Sequence, residues 1–594
     1  MKAIHFLTKA LFALTISVWS LSACNPTEKG DFKAPLFDNL GDYAISISTE
    51  SKYSEKFFNQ GLNLAYAFNH AEAERSYKEA IRLDSNNAMA YWGAAYVLGA
   101  NYNAAMEEGN KLKAKSLIEK AVDLAENAND WEKALINATA IRYNYTPGSD
   151  QKVMDLEYST AMRKVYTSFP ANDEAVVLYA ESLMNLHPWD FYTKKGIAKP
   201  WAKEIEDLLE KVLERNPDHP GANHLYIHAV EASSTPERGL PAAERLPALV
   251  PGAGHLVHMP SHIYIRTGDY HKGSEVNELA TEVDSLYIAN CSAQGVYPLS
   301  YFPHNIHFLA ATAALEGRGE TAINAAFRTA FHTDTTVMRE PGMQTLQHYL
   351  MIPYYVMVKF GQWDKILSLD KPASDLLYPT AVWHYARGMA FANKNNMQKA
   401  GIELHEVKDI SQNPELKNIT IWDINSAVEL IQIAKNVLEA EILRKNGEFR
   451  GAIQLLSEAV EIEDQLNYNE PPDWFFSVRH TLGAVLIAEG QFEKAQQVYE
   501  EDLFYFPKNG WALNGLYNSL MNQNKLMEAL TVLQKFEEAW QYADIELNGS
   551  LVKPKNYSNI QLVPKLQDTL LTSSQVIPLC RRKMKSTYLI KNGS

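Results

Sequence analysis

Residues 480–507 read HTLGAVLIAEGQFEKAQQVYEEDLFYFP and residues 509–536 read NGWALNGLYNSLMNQNKLMEALTVLQKF, and the two stretches superpose with Ala495 on Ala529. The step between the two alanines is 34 residues. Self-similarity at a fixed period of this length marks repeat architectures, in which each repeat buries its apolar face against its neighbours. Small residues let the two helices of one repeat approach closely, and larger apolar residues seal each pair against the next. The pattern predicts helix-turn-helix pairs stacked along the chain.

The repeated stretch also carries the signature of a known family. Leu482-Gly483, Ala495, Tyr499 and Pro507 occupy the places of that family's Leu-Gly, alanine, aromatic and proline residues. The chain therefore resembles the tetratricopeptide repeat (TPR) proteins. This resemblance implies an all-α fold, a right-handed α-solenoid whose groove is lined by the first helix of every repeat and takes a protein or peptide partner.

Further copies of the pattern extend the resemblance over most of the chain. Residues 57–87 carry Gly61, Ala73, Tyr77 and Ala80 at matching places. Inserted loops are expected at 285–300 and 465–473. The predicted segments are a signal peptide at 1–23, a lipid anchor and spacer at 24–50, N-terminal repeats at 51–125, a degenerate helical region at 126–219, histidine-rich repeats at 220–345, divergent helical repeats at 346–428, C-terminal repeats at 429–544 and a non-repeat tail at 545–594.

The N-terminus predicts the cellular location. Residues 1–23 combine two lysines with an apolar run too short to span a bilayer, which is typical of a secretion signal. The junction Leu21-Ser22-Ala23-Cys24 resembles the bacterial lipobox, and that resemblance implies that the Cys24 thiol carries a lipid. Asn25 is not aspartate, which favours the outer membrane and leaves the periplasmic and surface faces open. No later apolar run reaches the roughly 18 residues of a span, so membrane contact is expected through the lipid alone.

Composition and missing motifs exclude several function classes. The 594 residues carry a formal charge of −15 and a pI near 5.6, which argues against nucleic-acid binding because that function needs clustered basic residues. The patterns GxxxxGK[ST], GxGxxG, GxSxG and CxxC are absent, so phosphate-loop, dinucleotide, serine-hydrolase and thioredoxin chemistry have no support.

Histidines are concentrated in one part of the chain. Of 17 histidines, 11 lie between His219 and His348. Aligning the repeats on their small residues places first helices at about 220, 254 and 303. The fifth place of these helices is then occupied by His224, His258 and His307, the ninth by His228 and His262, the second by His255 and His304, and the twelfth by Glu231. At 100° per residue these places share one helical face, which is the groove-facing side in TPR proteins.

Two histidines one helical turn apart can bind one transition metal, and a neighbouring helix can complete the ligand set. The candidate ligands are His224, His228, His258, His262, His304 and His307. Further polar groove residues are Glu231, as ligand or base, His255, Arg266 and, from a fourth helix, His348. Zinc, iron or copper would suit such a site, although the pattern does not require a cofactor: a metal-free groove that hydrogen-bonds a peptide or glycan fits it too. No catalytic residue is assigned.

Two functions follow from these observations. The first is a lipid-anchored binding or assembly module of the bacterial envelope, and resemblance to repeat lipoproteins of glycan-harvesting bacteria implies an accessory role in polysaccharide degradation or uptake beside glycan-degrading machinery. The second is a metal-dependent enzyme or metal carrier with its site at 220–348. Trp189, Asp190 and Tyr301 lie beside the histidines and could stack on a sugar or serve in packing.

Overall fold

A computed structural model describes residues 33–146, 148–291, 297–555 and 557. The described chain is an all-α solenoid in which most helices pack on the next helix in sequence, so the expected fold class is confirmed. The chain forms two compact units, one up to Asn305 and one from Ile306. The signal peptide and Cys24 lie outside the described residues. No helix in the described part of the chain has the length and apolar character to cross a bilayer.

The first unit is built from α-helices joined by short turns. They are α1 (Lys52–Tyr66), α2 (His70–Leu83), α3 (Ala88–Tyr96), α4 (Lys111–Leu124), α5 (Asp130–Arg142), α6 (Gln151–Ser168), α7 (Asp173–Met184), α8 (Ala202–Arg215), α9 (Pro220–Val230), α10 (Leu240–Leu249), α11 (Gly254–His258), α12 (Pro260–Thr267) and α13 (Tyr270–Cys291). Single 3₁₀ turns lie at Glu108–Asn110, Ala125–Asn127 and Pro236–Gly239, and a π-helical turn at Tyr297–Tyr301 leads into α14 (Phe302–Leu315).

The second unit is built from helices and two small hairpins. The helices are α15 (Gly319–Phe331), α16 (Thr345–Lys359), α17 (Trp363–Ser368), α18 (Leu377–Asn393), α19 (Met397–Ser411), α20 (Ala427–Lys445), α21 (Phe449–Gln465), α22 (Arg479–Ala488), α23 (Phe492–Tyr505), α24 (Gly510–Asn522) and α25 (Leu526–Ala539), with a 3₁₀ turn at Pro414–Asn418. The antiparallel pairs are β1 (Thr420–Ile421) with β2 (Asn425–Ser426), and β3 (Leu547–Asn548) with β4 (Leu551–Val552).

One tyrosine and two glycines show why the small residues recur. The buried ring of Tyr77 on α2 lies between Gly61 on α1 and Gly93 on α3. A Cβ at Gly61 would stand 2.8 Å from that ring, and one at Gly93 would stand 2.3 Å from it. The three helices approach this closely only because both positions lack a side chain.

The same device recurs in the second unit, where Tyr499 on α23 lies between Gly483 on α22 and Gly515 on α24. Cβ atoms there would stand 2.3 Å and 2.2 Å from the ring. Because the predicted Leu-Gly and aromatic places perform one packing role in both units, the repeat pattern has the physical cause that the sequence suggested.

The first unit closes on itself. Helix α1 packs against α9, and a Cβ at Gly221 would stand 2.6 Å from the ring of Tyr66. The side chains of α9, which were expected to line a groove, are buried. The histidine-bearing face of α9 is therefore covered within this unit.

The segment before the first helix, expected to be a spacer, is packed from residue 33 onward. The Phe37 N–H donates to Gln60 Oε1 at 2.8 Å, and the Ile45 N–H donates to Asn59 Oδ1 at 2.8 Å. Leu40 is buried. These contacts make residues 33–50 a strap along α1.

Of the two expected inserted loops, the structure confirms one and shows helices in place of the other. Helix α13 continues to Cys291 and a π-helical turn occupies Tyr297–Tyr301, so the loop expected at 285–300 is wrong where these helices run. The loop expected at 465–473 is confirmed, because α21 ends at Gln465 and α22 begins only at Arg479.

Candidate metal centre

Three first helices of the first unit bring their histidines to one place. His224 and His228 lie one turn apart on α9. His255 and His258 lie on α11, His262 follows on α12, and His304 stands near the start of α14. The helices begin at Pro220, Gly254 and Phe302, within one residue of the expected starts. The repeat period of 34 residues therefore superposes the HxxxH pair of α9 on that of α11 and α12.

We call His224, His228 and His255 the first triad. One ring nitrogen of each lies within 4.8 Å of the others, and all three side chains are buried, with His255 only 1% exposed. The Nε2 atoms of His224 and His228 and both ring nitrogens of His255 have no hydrogen-bond partner among the described residues. Buried polar atoms are rarely left unpaired in proteins, so this cluster calls for a ligand.

Neighbouring acceptors fix which nitrogen of the first triad is available. His224 Nδ1 lies 2.6 Å from the Tyr66 carbonyl oxygen, and His228 Nδ1 lies 2.9 Å from Glu231 Oε1. Because both partners accept, both Nδ1 atoms carry the proton and donate, which leaves a lone pair on each Nε2. Metal-binding histidines are oriented in this way, by a carbonyl or carboxylate on the other ring nitrogen.

We call His258, His262 and His304 the second triad, whose ligand atoms also lie within 4.8 Å of one another. The Asn277 amide donates to the Gly273 carbonyl at 2.7 Å, so its Oδ1 faces His258 and accepts from Nδ1 at 2.6 Å. His262 Nδ1 lies 2.6 Å from Glu231 Oε2. The Nε2 atoms of His258 and His262 then face each other at 3.0 Å.

Glu231 contacts one histidine of each triad, with Oε1 toward His228 and Oε2 toward His262. Its carboxylate is 1% exposed, and burial raises its pKa, which the charges of His262 and Arg266 oppose. Glu231, His228 and His262 also form a possible ligand group of their own. The 2.9 Å contact between Glu231 Oε1 and His228 Nδ1 is a hydrogen bond, which indicates that Glu231 orients the His228 ring, and Glu231 Oε2 lies 2.6 Å from His262 Nδ1.

Burial keeps the first triad neutral. Desolvation lowers the pKa values of His224, His228 and His255 well below the ordinary value, and neighbouring imidazoles lower them further. Neutral imidazole is the form that binds metals, so these rings need not lose a proton when they bind one.

Aromatic side chains cover the histidines. The walls are formed by Phe68, Tyr102, Trp189 and Tyr301. Phe68 lies 4.5 Å from His224, centroid to centroid, and Tyr102 lies 4.8 Å from His228. Such a wall limits the access of water, which strengthens electrostatic interactions inside the site.

Trp189 and Tyr301 stand in this wall, and the exposed Asp190 points elsewhere. The Trp189 ring stacks on Tyr102 at 5.3 Å, and its backbone has the left-handed φ of 58° that non-glycine residues seldom adopt. Asp190 pairs with Lys199. Strained backbone of this kind is concentrated at functional sites, which is consistent with a role for Trp189 in enclosing the centre.

Two of the expected residues belong to the second unit. His307 stacks on Phe475 with ring centroids 5.3 Å apart, and His348 Nδ1 lies 2.7 Å from the Tyr378 hydroxyl. His307 does not occur in the possible ligand groups formed by the described residues, where His255 completes the first triad, so its role as a ligand stays a prediction. From the sequence alone, His255 is expected only to be a polar groove residue.

Arg266 lies near the carboxylate side of the centre. Its NH2 group stands 3.4 Å from the Ser233 carbonyl oxygen, and its charge acts on Glu231. The sequence also missed Tyr66 and Asn277, whose oxygen atoms orient His224 and His258. Neither had a detectable signal, because one acts through its backbone and the other is an ordinary asparagine in a helix.

The chain matches no known family model and no curated protein sequence. Among solved structures, it is similar to a human IFIT1 dimer with m7Gppp-AAAA, at 14% identity and TM-score 0.31, over 84% of this chain and 91% of that one. Yeast Tom70 is 13% identical with a TM-score of 0.24, over 83% and 93% of the two chains. The P58(IPK) TPR domain is 12% identical with a TM-score of 0.21, over 80% and 99%.

Proposed function

We propose that this protein binds a transition-metal ion, and that its helical repeats serve to build and enclose the metal site. The observation that carries the proposal is the first triad. Three buried imidazoles converge, two of them are oriented by acceptors on Nδ1, and their converging nitrogens have no other partner among the described residues. Three histidines with an open fourth position are a common ligand set for zinc and also suit copper or iron.

The test is metal analysis of the full chain, purified without a histidine tag in mild detergent, before and after reconstitution with zinc, iron or copper. The informative variant is His255→Phe, which keeps a ring of similar size and removes no hydrogen bond, since both ring nitrogens lack a partner in the described structure. Its matched control is His405→Phe, at a side chain that is 72% exposed.

We expect stoichiometric metal in the wild type and the control, and loss of metal from the first triad in His255→Phe. Absence of bound zinc, iron and copper from the reconstituted wild type would contradict the proposal. Equal metal content in His255→Phe and the wild type would contradict the assignment of the first triad. Circular dichroism of each variant would report whether the helices are retained.

The proposal also places the protein in the bacterial envelope, anchored through a lipid on Cys24 and favouring the outer membrane. The support is the N-terminal sequence, where an apolar run ends at the lipobox-like junction. Labelling cells with a radioactive or alkyne fatty acid tests it, because the wild type should incorporate the label and Cys24→Ser should not.

The helical repeats support a second role as a protein-binding module. Its specific observation is that large apolar side chains on α23 and α25 are exposed, with Phe504 62% exposed and Met527 78% exposed. A role beside glycan-degrading machinery rests on resemblance alone. Adjacent genes for carbohydrate-degrading enzymes and an uptake porin would support that role, and a metal-export or respiratory operon would count against it.

A further inference from the structure

The second unit contains a lysine that hydrogen bonds join to a histidine and a carboxylate. Lys359, the last residue of α16, places Nζ 2.8 Å from His480 Nδ1 in the first turn of α22. His480 Nε2 lies 2.9 Å from Asp502 Oδ2 on α23. The Asn509 amide donates to the same carboxylate oxygen at 3.0 Å, which holds it in place. Amine, imidazole and carboxylate therefore form one chain across three helices.

These hydrogen bonds decide which nitrogen of His480 can act as a base. Burial raises the pKa of Asp502, but the charge of His480 and the hydrogen bonds that the carboxylate accepts outweigh it and lower that pKa below its ordinary value. A carboxylate only accepts, so His480 Nε2 carries the proton and donates it. Burial and the charge of Lys359 lower the pKa of His480, so its ring is neutral. The lone pair of Nδ1 then faces the Lys359 amine.

Aromatic rings surround the Lys359 amine. Nζ lies 3.8 Å from the centroid of the Trp511 ring and 5.3 Å from that of the Phe476 ring. Burial lowers the pKa of Lys359 to about 7, and a lysine desolvated in this way is a better nucleophile at neutral pH. His480, Asp502 and Trp511 are buried, whereas Lys359 and Phe476 are partly exposed. A small molecule that approaches from solvent therefore meets the lysine first.

We propose that Lys359 is a nucleophile that forms an imine with an aromatic aldehyde, with His480 as its base and Asp502 as the group that orients the base. A nucleophile within hydrogen-bond reach of a base, which a third group orients in turn, is the arrangement that activates weak nucleophiles in enzymes. Trp511 and Phe476 offer faces on which an aromatic ring can pack, and the Asp502 carboxylate disfavours an anionic aldehyde. The site is independent of a metal ion at the first triad.

The reaction forms one C=N bond and releases one water molecule. The Nζ lone pair attacks the carbonyl carbon, the C=O π electrons move to oxygen, and His480 Nδ1 takes one proton from the nitrogen. His480 then gives that proton to the oxygen, which produces a carbinolamine. A second transfer moves the remaining N–H proton to the hydroxyl group, which leaves as water while the nitrogen lone pair forms the C=N bond. The balance needs no oxidant and no reductant.

The experiment is reductive trapping of the full chain in mild detergent, with benzaldehyde and cyanoborohydride at neutral pH. Peptide mass spectrometry then gives the labelling rate of each lysine. The internal control is Lys365 on α17, which lies over the Phe327 ring and whose pKa burial lowers to about 8. Para-carboxybenzaldehyde is the matched anionic probe. The variants are Lys359→Met, His480→Gln and Asp502→Asn.

At pH 7 about half of Lys359 and about one tenth of Lys365 are neutral, so burial alone predicts about fivefold faster labelling of Lys359. A positioned base adds a factor of about 100 or more, and we expect the ratio of the two rates to rise by that factor. The ratio should return to about fivefold in His480→Gln and fall in Asp502→Asn, because burial then acts without an oriented base. Para-carboxybenzaldehyde should label Lys359 more slowly than benzaldehyde does. Lys359→Met should keep the label on Lys365, which confirms the assignment of the peptides.

Each contrary result overturns a stated part of the proposal. An unlabelled Lys359 beside a labelled Lys365 would overturn the nucleophile and leave an ammonium held against the Trp511 ring. A ratio of about fivefold in the wild type, or an unchanged ratio in a folded His480→Gln, would overturn the role of the base. Faster labelling of Lys359 by the anionic probe would overturn the choice of aldehyde. The comparison of Lys359 with Lys365 uses the wild type, so it decides the proposal even if a variant loses its helical content.

Discussion

The substitution His255→Phe should change the stability of the metal-free and metal-loaded protein in opposite directions. His255 is buried, both of its ring nitrogens lack a partner among the described residues, and its ring packs between Phe68 at 5.6 Å and Tyr301 at 4.8 Å. Leaving a buried polar group unpaired costs about 1–3 kcal/mol. Phenylalanine keeps the ring contacts and removes that cost, so the metal-free variant should be more stable than the metal-free wild type by about 1–3 kcal/mol.

Bound metal should reverse this order, so that the wild type becomes more stable than the variant. A ligand present at about 1,000 times its dissociation constant stabilises the native state by about 4 kcal/mol. The wild type gains this at the first triad, whereas the variant retains two imidazoles there and gains little. The assay is thermal unfolding of both proteins in chelator and in excess metal, with His405→Phe as the control.

We expect the two proteins to change order, with the variant more stable in chelator and the wild type more stable in metal. A metal-free variant that melts below the metal-free wild type would refute it, since the unpaired nitrogens would then have partners that the substitution removes. Parallel shifts of both proteins on adding metal would show that the stabilising ion binds elsewhere.

Three further predictions concern the scaffold and its location. Tyr77→Phe should leave stability unchanged or raise it by about 1 kcal/mol, because the buried Tyr77 hydroxyl lacks a partner in the described structure. Tyr499→Phe should lower stability by about 0.5–1.5 kcal/mol, because it breaks the 2.7 Å hydrogen bond to Ser550. Local hydrogen exchange would measure both effects, and equal losses of stability would contradict this comparison. Burial lowers the pKa of Lys359 to about 7, so the unfolded chain binds more protons than the folded one between about pH 7 and the ordinary lysine pKa. The stability of the folded protein should therefore rise with pH across that window. Urea unfolding at several pH values should show this rise in the wild type and a smaller rise in Lys359→Met. Cys24→Ser should move the protein from the membrane fraction to the soluble fraction on cell fractionation, and unchanged partitioning would argue against a lipid on this residue.

The repeat period explains why much of the metal centre could be predicted from the sequence. A step of 34 residues places His224 over His258 and His228 over His262, and equivalent places on adjacent repeats face the same side. The structure brings those four rings together with His304. The period also predicted the packing role of small and aromatic residues, which Gly483 and the ring beside it show directly.

The repeat period could not predict where the first unit closes on itself or which histidine completes the first triad. The contact between the Tyr66 carbonyl and His224 joins residues 158 positions apart, and it depends on the packing of α1 on α9. His307 has the same repeat place as His224 and His258 but falls in the second unit. Local spacing shows which helical face a residue occupies, and long-range packing decides what that face meets.

The unpaired atoms themselves argue for a ligand. Proteins bury histidine readily when each ring nitrogen meets a partner, as His480 does with Nδ1 at 2.8 Å from Lys359 Nζ and Nε2 at 2.9 Å from Asp502. The first triad instead converges three rings on a point where their nitrogens meet one another and aromatic walls. A metal ion would supply the missing partner to all three at once, so that groups costly to bury in the free protein become a source of stability when the ion binds.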